Sequence, residues 1–144
     1  MNRRELAEKV HAAMKRQCAS RGYATAVDVL MEIGMLSKVR YEDWRFGRVL
    51  YLEQVCEGGL GKLAAVLREM RSYADSQNLK PSWCCYKRWD VQKKTGQGKR
   101  PAVRLRFSKS GDPAIEEKYA THYVDRERIA ALKAAEDSRI VPDL

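Results

Sequence analysis

Ten basic side chains lie between Lys80 and Lys109: Lys80, Lys87, Arg88, Lys93, Lys94, Lys99, Arg100, Arg104, Arg106 and Lys109, with Asp90 as the one acid among them. Elsewhere acidic and basic residues cancel, so this stretch sets the formal net charge of +9. Charge confined in this way creates a local positive potential that attracts polyanions and speeds their encounter. The chemistry it offers is phosphate binding, from Lys87, Arg88, Lys93, Lys94, Lys99, Arg100, Arg104, Arg106 and Lys109. Such contacts position a protein on nucleic acid without reading sequence. Five or six of them on duplex DNA imply a log–log salt slope of roughly −5. A blander reading is that lysines on exposed strands protect an edge from pairing with other chains.

Trp83, Tyr86 and Trp89 interleave with these charges. An exposed ring stacks on unpaired bases, a sequence-tolerant contact worth ~1–3 kcal/mol per base. On a strand, Trp83, Cys85 and Trp89 would share one face, with Tyr86 and Arg88 on the other. The tryptophans are expected to face the core, which leaves Tyr86 as the stacking candidate.

A second constellation, Glu116, Glu117 and His122 beside Tyr119 and Tyr123, has the groups of a general acid–base pair. No metal-ligand pattern, phosphate-binding glycine loop or nucleophile elbow accompanies it. The reading leans away from an enzyme and assigns no catalytic residue. Arg45 and Arg48 beside Glu42, Asp43 and Glu53 read as helix ion pairs. The four cysteines (Cys18, Cys56, Cys84, Cys85) lack Cys-x-x-Cys spacing, and a zinc site would need His11 or His122. No metal or cofactor is expected.

The elements that must position these groups follow from capping and periodicity. Asn2-Arg3-Arg4-Glu5 has the form of a capping box, and Leu6, Val10, Ala13, Met14 and Cys18 recur at helical spacing over residues 3–20. Thr25-x-x-Asp28 caps a short helix stopped by Gly34. Ser37 opens a third helical region reaching Val55, which Gly47 kinks or divides. Leu60, Leu63, Ala64, Leu67, Met70 and Ala74 trace a fourth helix to about Asp75. Its outer residues Lys62, Arg68, Glu69, Arg71 and Ser72 make it one candidate recognition helix. A helix-turn-helix over residues 26–45, with Val29 and Ile33 inward, is the other.

Periodicity then changes. Val103-Arg104-Leu105-Arg106-Phe107 alternates, with both arginines on one face. Together with the aromatic run 83–89 it reads as a β-hairpin over 82–108 with a long basic tip. Residues 114–124 suit either a helix or an extended segment, and Asp125 caps a last, alanine-rich helix through which a homodimer is plausible. At 144 residues the chain reads as one domain: a helical region over residues 1–79, the hairpin, and a C-terminal helical segment over residues 113–140. Mixed polar residues follow the N-terminus and no apolar run would span a bilayer, so no membrane is expected and the cytoplasm is the expected compartment.

Four strings resemble a family of small bacterial proteins of unknown function: Tyr41-Glu42-Asp43-Trp44-Arg45-Phe46-Gly47-Arg48, Leu79-Lys80-Pro81-Ser82, Leu105-Arg106-Phe107-Ser108-Lys109-Ser110-Gly111 and Tyr119-Ala120-Thr121-His122-Tyr123. The likeness covers about residues 22–124. It implies a bacterial or mobile-element origin and carries over no activity or site residue. The expected fold is α+β, four or five helices with a basic two-stranded β-hairpin, in the order of elements of a winged helix. The expected partner is nucleic acid, duplex DNA ahead of RNA. The alternative is a phage- or mobile-element-borne interaction module whose basic face binds an acidic or nucleic-acid-binding protein.

Overall fold

The computed structural model describes residues 2–89 and 103–140, the last two without their side chains. Helix α1 (Arg3–Arg21) begins where the Asn2 side chain accepts from the Glu5 N–H at 2.9 Å. It buries Leu6, Val10, Ala13, Met14 and Cys18 along one side. It stops at Gly22, whose φ of 86° is left-handed and whose N–H donates to Cys18 O at 2.8 Å. A Cβ on Gly22 would stand 2.3 Å from Ile129 Cγ1, so glycine is required twice over, by conformation and by the approach of the last helix.

Strand β1 (Tyr23–Thr25) runs directly into α2 (Ala26–Glu32). Thr25 Oγ1 accepts from the Asp28 N–H, and Arg21 ties Asp28 to Gln17, so one polar cluster fixes the junction of all three elements. Ser37 caps α3 (Lys38–Arg45), accepting from the Arg40 N–H. The third helical region is divided at its glycine. Gly47 takes φ 72°, and a 3₁₀ turn (Leu52–Val55) resumes after it. Helix α4 (Gly59–Ser76) buries Leu63, Val66, Leu67, Met70 and Ala74, packing on α1 and α2.

The sheet is three-stranded and antiparallel, in the order β1-β3-β2. Strand β2 (Lys80–Trp83) pairs with β3 (Thr121–Val124), matching Pro81 with Tyr123 and Trp83 with Thr121. On its other edge β3 pairs with β1, matching Ala24 with Tyr123. The segment that suited both helix and strand is both in turn: α5 (Pro113–Ala120), capped by Asp112, leads straight into β3. Helix α6 (Arg126–Ile140) follows, anchored by Arg128 Nε donating to Ala19 O at 2.9 Å.

The α+β class is as expected. The helix count is six among the described residues, against the four or five expected, because α5 forms as a separate helix. Of the expected two-stranded hairpin over 82–108, the described residues show one bridge, Lys87 with Arg104, and residues 90–102 lie outside them. Two hydrogen bonds flank the bridge: Arg88 N–H to Val103 O and Leu105 N–H to Tyr86 O, both 2.8 Å. The aromatic run does not continue β2 beyond Trp83, and of its three rings Tyr86 alone packs on the core. The chain leaves the sheet after Trp83, the Tyr86 ring packs between Trp44 and Phe107, and the Trp89 N–H donates to Arg45 O at 2.6 Å. Residues 106–107 bond to the 3₁₀ turn, Leu52 N–H to Arg106 O and Glu53 N–H to Phe107 O.

The core is one cluster built on α1, α2, α4 and the sheet, with Trp44, Phe107 and Tyr119 as its largest fully buried side chains. Among the described residues no helix is long and apolar enough to cross a membrane.

Candidate nucleic-acid interface

The 104–107 alternation holds in three dimensions: Leu105 and Phe107 are buried, while Arg104 and Arg106 are exposed. Val103, expected on the inner face, is 42% exposed. The arginines differ in what they are free to do. Arg106 is occupied by its own loop, donating to Ser108 O at 2.7 Å and to Lys109 O. Arg104 has its guanidinium 4.8 Å above the Trp83 ring and faces solvent. Lys87, its bridge partner, is exposed, as is Lys109. Arg88 lies against Gly47. Lys93, Lys94, Lys99 and Arg100, the expected hairpin tip, lie outside the described residues.

The aromatic residues reverse their expected order. Trp83 and Trp89, expected to be inward, are 55% and 39% exposed. The core tryptophan is Trp44, whose Nε1 donates to Arg106 O at 2.8 Å. Tyr86, the expected stacking residue, is packed against Trp44, Phe107 and His122, with the Arg45 guanidinium 5.2 Å from its ring centre. Burial pushes its phenol up, so the ring sits as a neutral core edge rather than a surface platform.

Charge pairing separates the two candidate recognition helices. On α3, Arg40 and the adjacent Arg48 both pair with Asp43, at 3.7 and 3.1 Å. Arg45, expected in an ion pair, instead lies over the Trp89 ring at 4.6 Å. On α4, Arg68 and Arg71 are exposed and form no ion pair among the described residues. Glu69 turns away from them to bond His11 at 3.0 Å, across to α1. The outer stripe of α4 is therefore small and cationic: Gly61, Ala64, Arg68, Arg71 and Ser72.

From α4, Leu60, Ala64, Leu67, Arg68, Arg71 and Asp75 line one side of a cleft of about 1230 Å³. Lys109, Ile115 and Lys118 make the opposite wall, and Leu79, Pro81, Thr121 and Tyr123 lie between. Lys118, Pro81 and Thr121 had no signal in the sequence, because the cleft is assembled from three separated segments. Arg68 and Arg71 were visible as outer positions of the helical stripe.

The acid–base constellation is dispersed into structural roles. Glu116 accepts from Phe107 N–H, Ser108 N–H and Ser108 Oγ at 2.9, 2.7 and 2.6 Å, holding the turn after the basic stretch. The Tyr119 hydroxyl donates to Glu53 at 2.8 Å, and Glu53 also accepts from the Lys109 N–H. His122 lies on the sheet face away from the cleft, 3.3 Å from Tyr86 Oη and stacked with Tyr23. Burial, and secondarily Arg21, hold its pKa below the usual value. The unfolded chain then binds a proton that the folded chain refuses, so stability falls as pH drops below about 6.5. Thermal melts between neutral and mildly acidic pH should show a steeper loss for the parent than for His122→Gln. Equal losses would remove His122 as the cause.

Among the described residues no group of three or more His, Cys, Asp or Glu side chains is placed to hold a metal. The four cysteines are free thiols, and burial pushes the Cys56 thiol up to about 12, the opposite of an activated nucleophile. Comparison with protein-family models, with curated proteins and with solved structures gave no match, so the geometry alone carries the functional argument.

Proposed function

We propose that this protein binds nucleic acid, duplex DNA in the first instance, mainly through phosphates. One observation carries the reading. The chain runs helix, strand, helix, then α4 directly into β2, and returns as β3 between β1 and β2. That order is similar to a winged helix carrying additions: α3 and the 3₁₀ turn before α4, α5 between β2 and β3, and α6 after β3. In this frame α4 is the recognition helix, and the segment that carries the chain's net charge occupies the wing position between β2 and β3. Arg68 and Arg71 on α4, Lys118 on α5, and Lys87, Arg104 and Lys109 on the wing supply cations on the described surface. Lys93, Lys94, Lys99 and Arg100 add to them from the sequence.

Affinity measured over a salt series tests this. Binding of labelled duplex DNA should weaken with a log–log slope of roughly −5, the signature of five or six phosphate contacts. No binding at low salt would sink the proposal and favour the second reading, a mobile-element accessory factor that docks on another protein. The mixed chemistry of the cleft supports that alternative: Glu53, Asp75 and Glu117 line it with the cations, and Leu60 at its rim is 61% exposed.

A further inference from the structure

We infer that Trp83 and Arg104 form a stacking platform for an unpaired base, so that the preferred ligand is duplex DNA carrying a single-stranded segment. The inference rests on the nucleic-acid reading and specifies its substrate. Side chains alternate along a strand, and paired residues of an antiparallel ladder share a face. Pro81 and Trp83 therefore share a face with their partners Tyr123 and Thr121. Pro81, Thr121 and Tyr123 line the cleft. Trp83 thus extends the sheet side of the cleft beyond its lined end, next along that face after Pro81.

Among the described residues Trp83 contributes nothing to the hydrophobic core. The core takes its large aromatics from Trp44, Phe107 and Tyr119, while Trp83 stands on an edge strand more than half exposed. Leaving an indole in water forgoes the stabilisation its burial would give. The Arg104 guanidinium lies over the ring, and Lys87 pairs with Arg104 across the bridge. An indole beside two cations suits a ligand that presents a flat π-face and a phosphate together, which a nucleotide does. A base inside a continuous duplex is already stacked on both sides, whereas an unpaired base beyond the duplex end has a free face to lay on the ring. Stacking on an aromatic side chain is sequence-tolerant, and the cations beside it follow the backbone.

The cleft wall points the same way. Arg68 and Arg71 of α4 line the cleft together with Lys109 and Lys118, so cations from two separate segments border one opening. A single strand leaving the duplex can lie between them and reach Trp83.

The test compares a blunt duplex with the same duplex bearing a short thymidine tail, at one fixed salt concentration, by fluorescence anisotropy. The tailed duplex should bind roughly tenfold more tightly, the value of one to two stacked bases. Trp83→Ala should bring the ratio of the two affinities to one, and Trp83→Phe should retain most of the preference. Tryptophan fluorescence should be quenched by the tailed duplex, and the quenching should be lost in Trp83→Phe. Equal affinity of the parent for both probes, or a preference that survives Trp83→Ala, overturns the platform while leaving duplex binding intact. Absence of binding to either probe overturns the nucleic-acid reading and this inference together.

Discussion

Replacing Arg68 and Arg71 together by alanine is expected to weaken duplex DNA binding by about a hundredfold or more, with each charge-assisted contact contributing at least about 1.5 kcal/mol. The salt slope should flatten by about two, one unit for each phosphate contact removed. The expectation follows from how the charges are spent. Arg40 and Arg48 are drawn onto Asp43, Arg45 is stacked on Trp89, and Arg106 is bonded to its own loop, so none of them is offered outward in the same way. Arg68 and Arg71 are exposed, three residues apart on one helix, and form no ion pair among the described residues. For the same reason the double variant should melt at the parent temperature, which separates loss of binding from loss of fold. Unchanged affinity in a variant of unchanged stability would remove α4 as the recognition helix.

The largest stability effect is expected at Trp44. Its side chain is fully buried, lies against Tyr86 and Phe107, and donates a hydrogen bond to Arg106 O. Trp44→Ala removes that packing and leaves a cavity, costing about 3–5 kcal/mol, against a typical total of about 5–15 kcal/mol for a domain. Urea unfolding with linear extrapolation measures the loss directly. Trp44→Phe keeps most of the apolar volume and forfeits the indole N–H, leaving a part-buried carbonyl to water at about 1 kcal/mol. Because Trp44 joins α3 to residues 105–107, the alanine variant should also loosen the base of the charged segment and weaken DNA binding. A loss below about 1 kcal/mol in Trp44→Ala would mean the aromatic cluster is not the link between the helical body and that segment.

The helices were the legible portion of this fold, because their signals are local. Asn2, Thr25, Ser37 and Asp125 each stand one residue before a helix, and each side chain accepts from a backbone N–H three residues on. Of the sheet, the sequence suggested residues 121–124 as an extended segment, and β1, β2 and the pairing were not legible, for the opposite reason. Its strands are three or four residues long, and their identity is set by partners far away in sequence, as when Tyr23 pairs with Val124. Residues 83–89 carry strand-forming side chains, yet Tyr86 gains more by joining Trp44 and Phe107 than the run would gain as a ladder. Reading that run as one strand placed both of its tryptophans inward. Trp44, which helical spacing puts on the apolar side of the third region with Tyr41 and Leu52, takes the core position.

The candidate site divides along the same line. The charge of residues 80–109 is a property of composition and can be counted. The cleft depends on α4, β2 and α5 meeting in space, and no local pattern encodes that.

The bridge between Lys87 and Arg104, with the hydrogen bond from Arg88 to Val103, has a consequence for how the charged segment can vary. It closes the chain on itself before the segment that holds Lys93, Lys94, Lys99 and Arg100. Each phosphate contact adds about one unit to the salt slope, so each lysine or arginine gained or lost there changes the response to salt. The number of charges offered to a polyanion is therefore a property of that segment's composition, while Trp44, Phe107 and Tyr119 hold the core of the body that carries it.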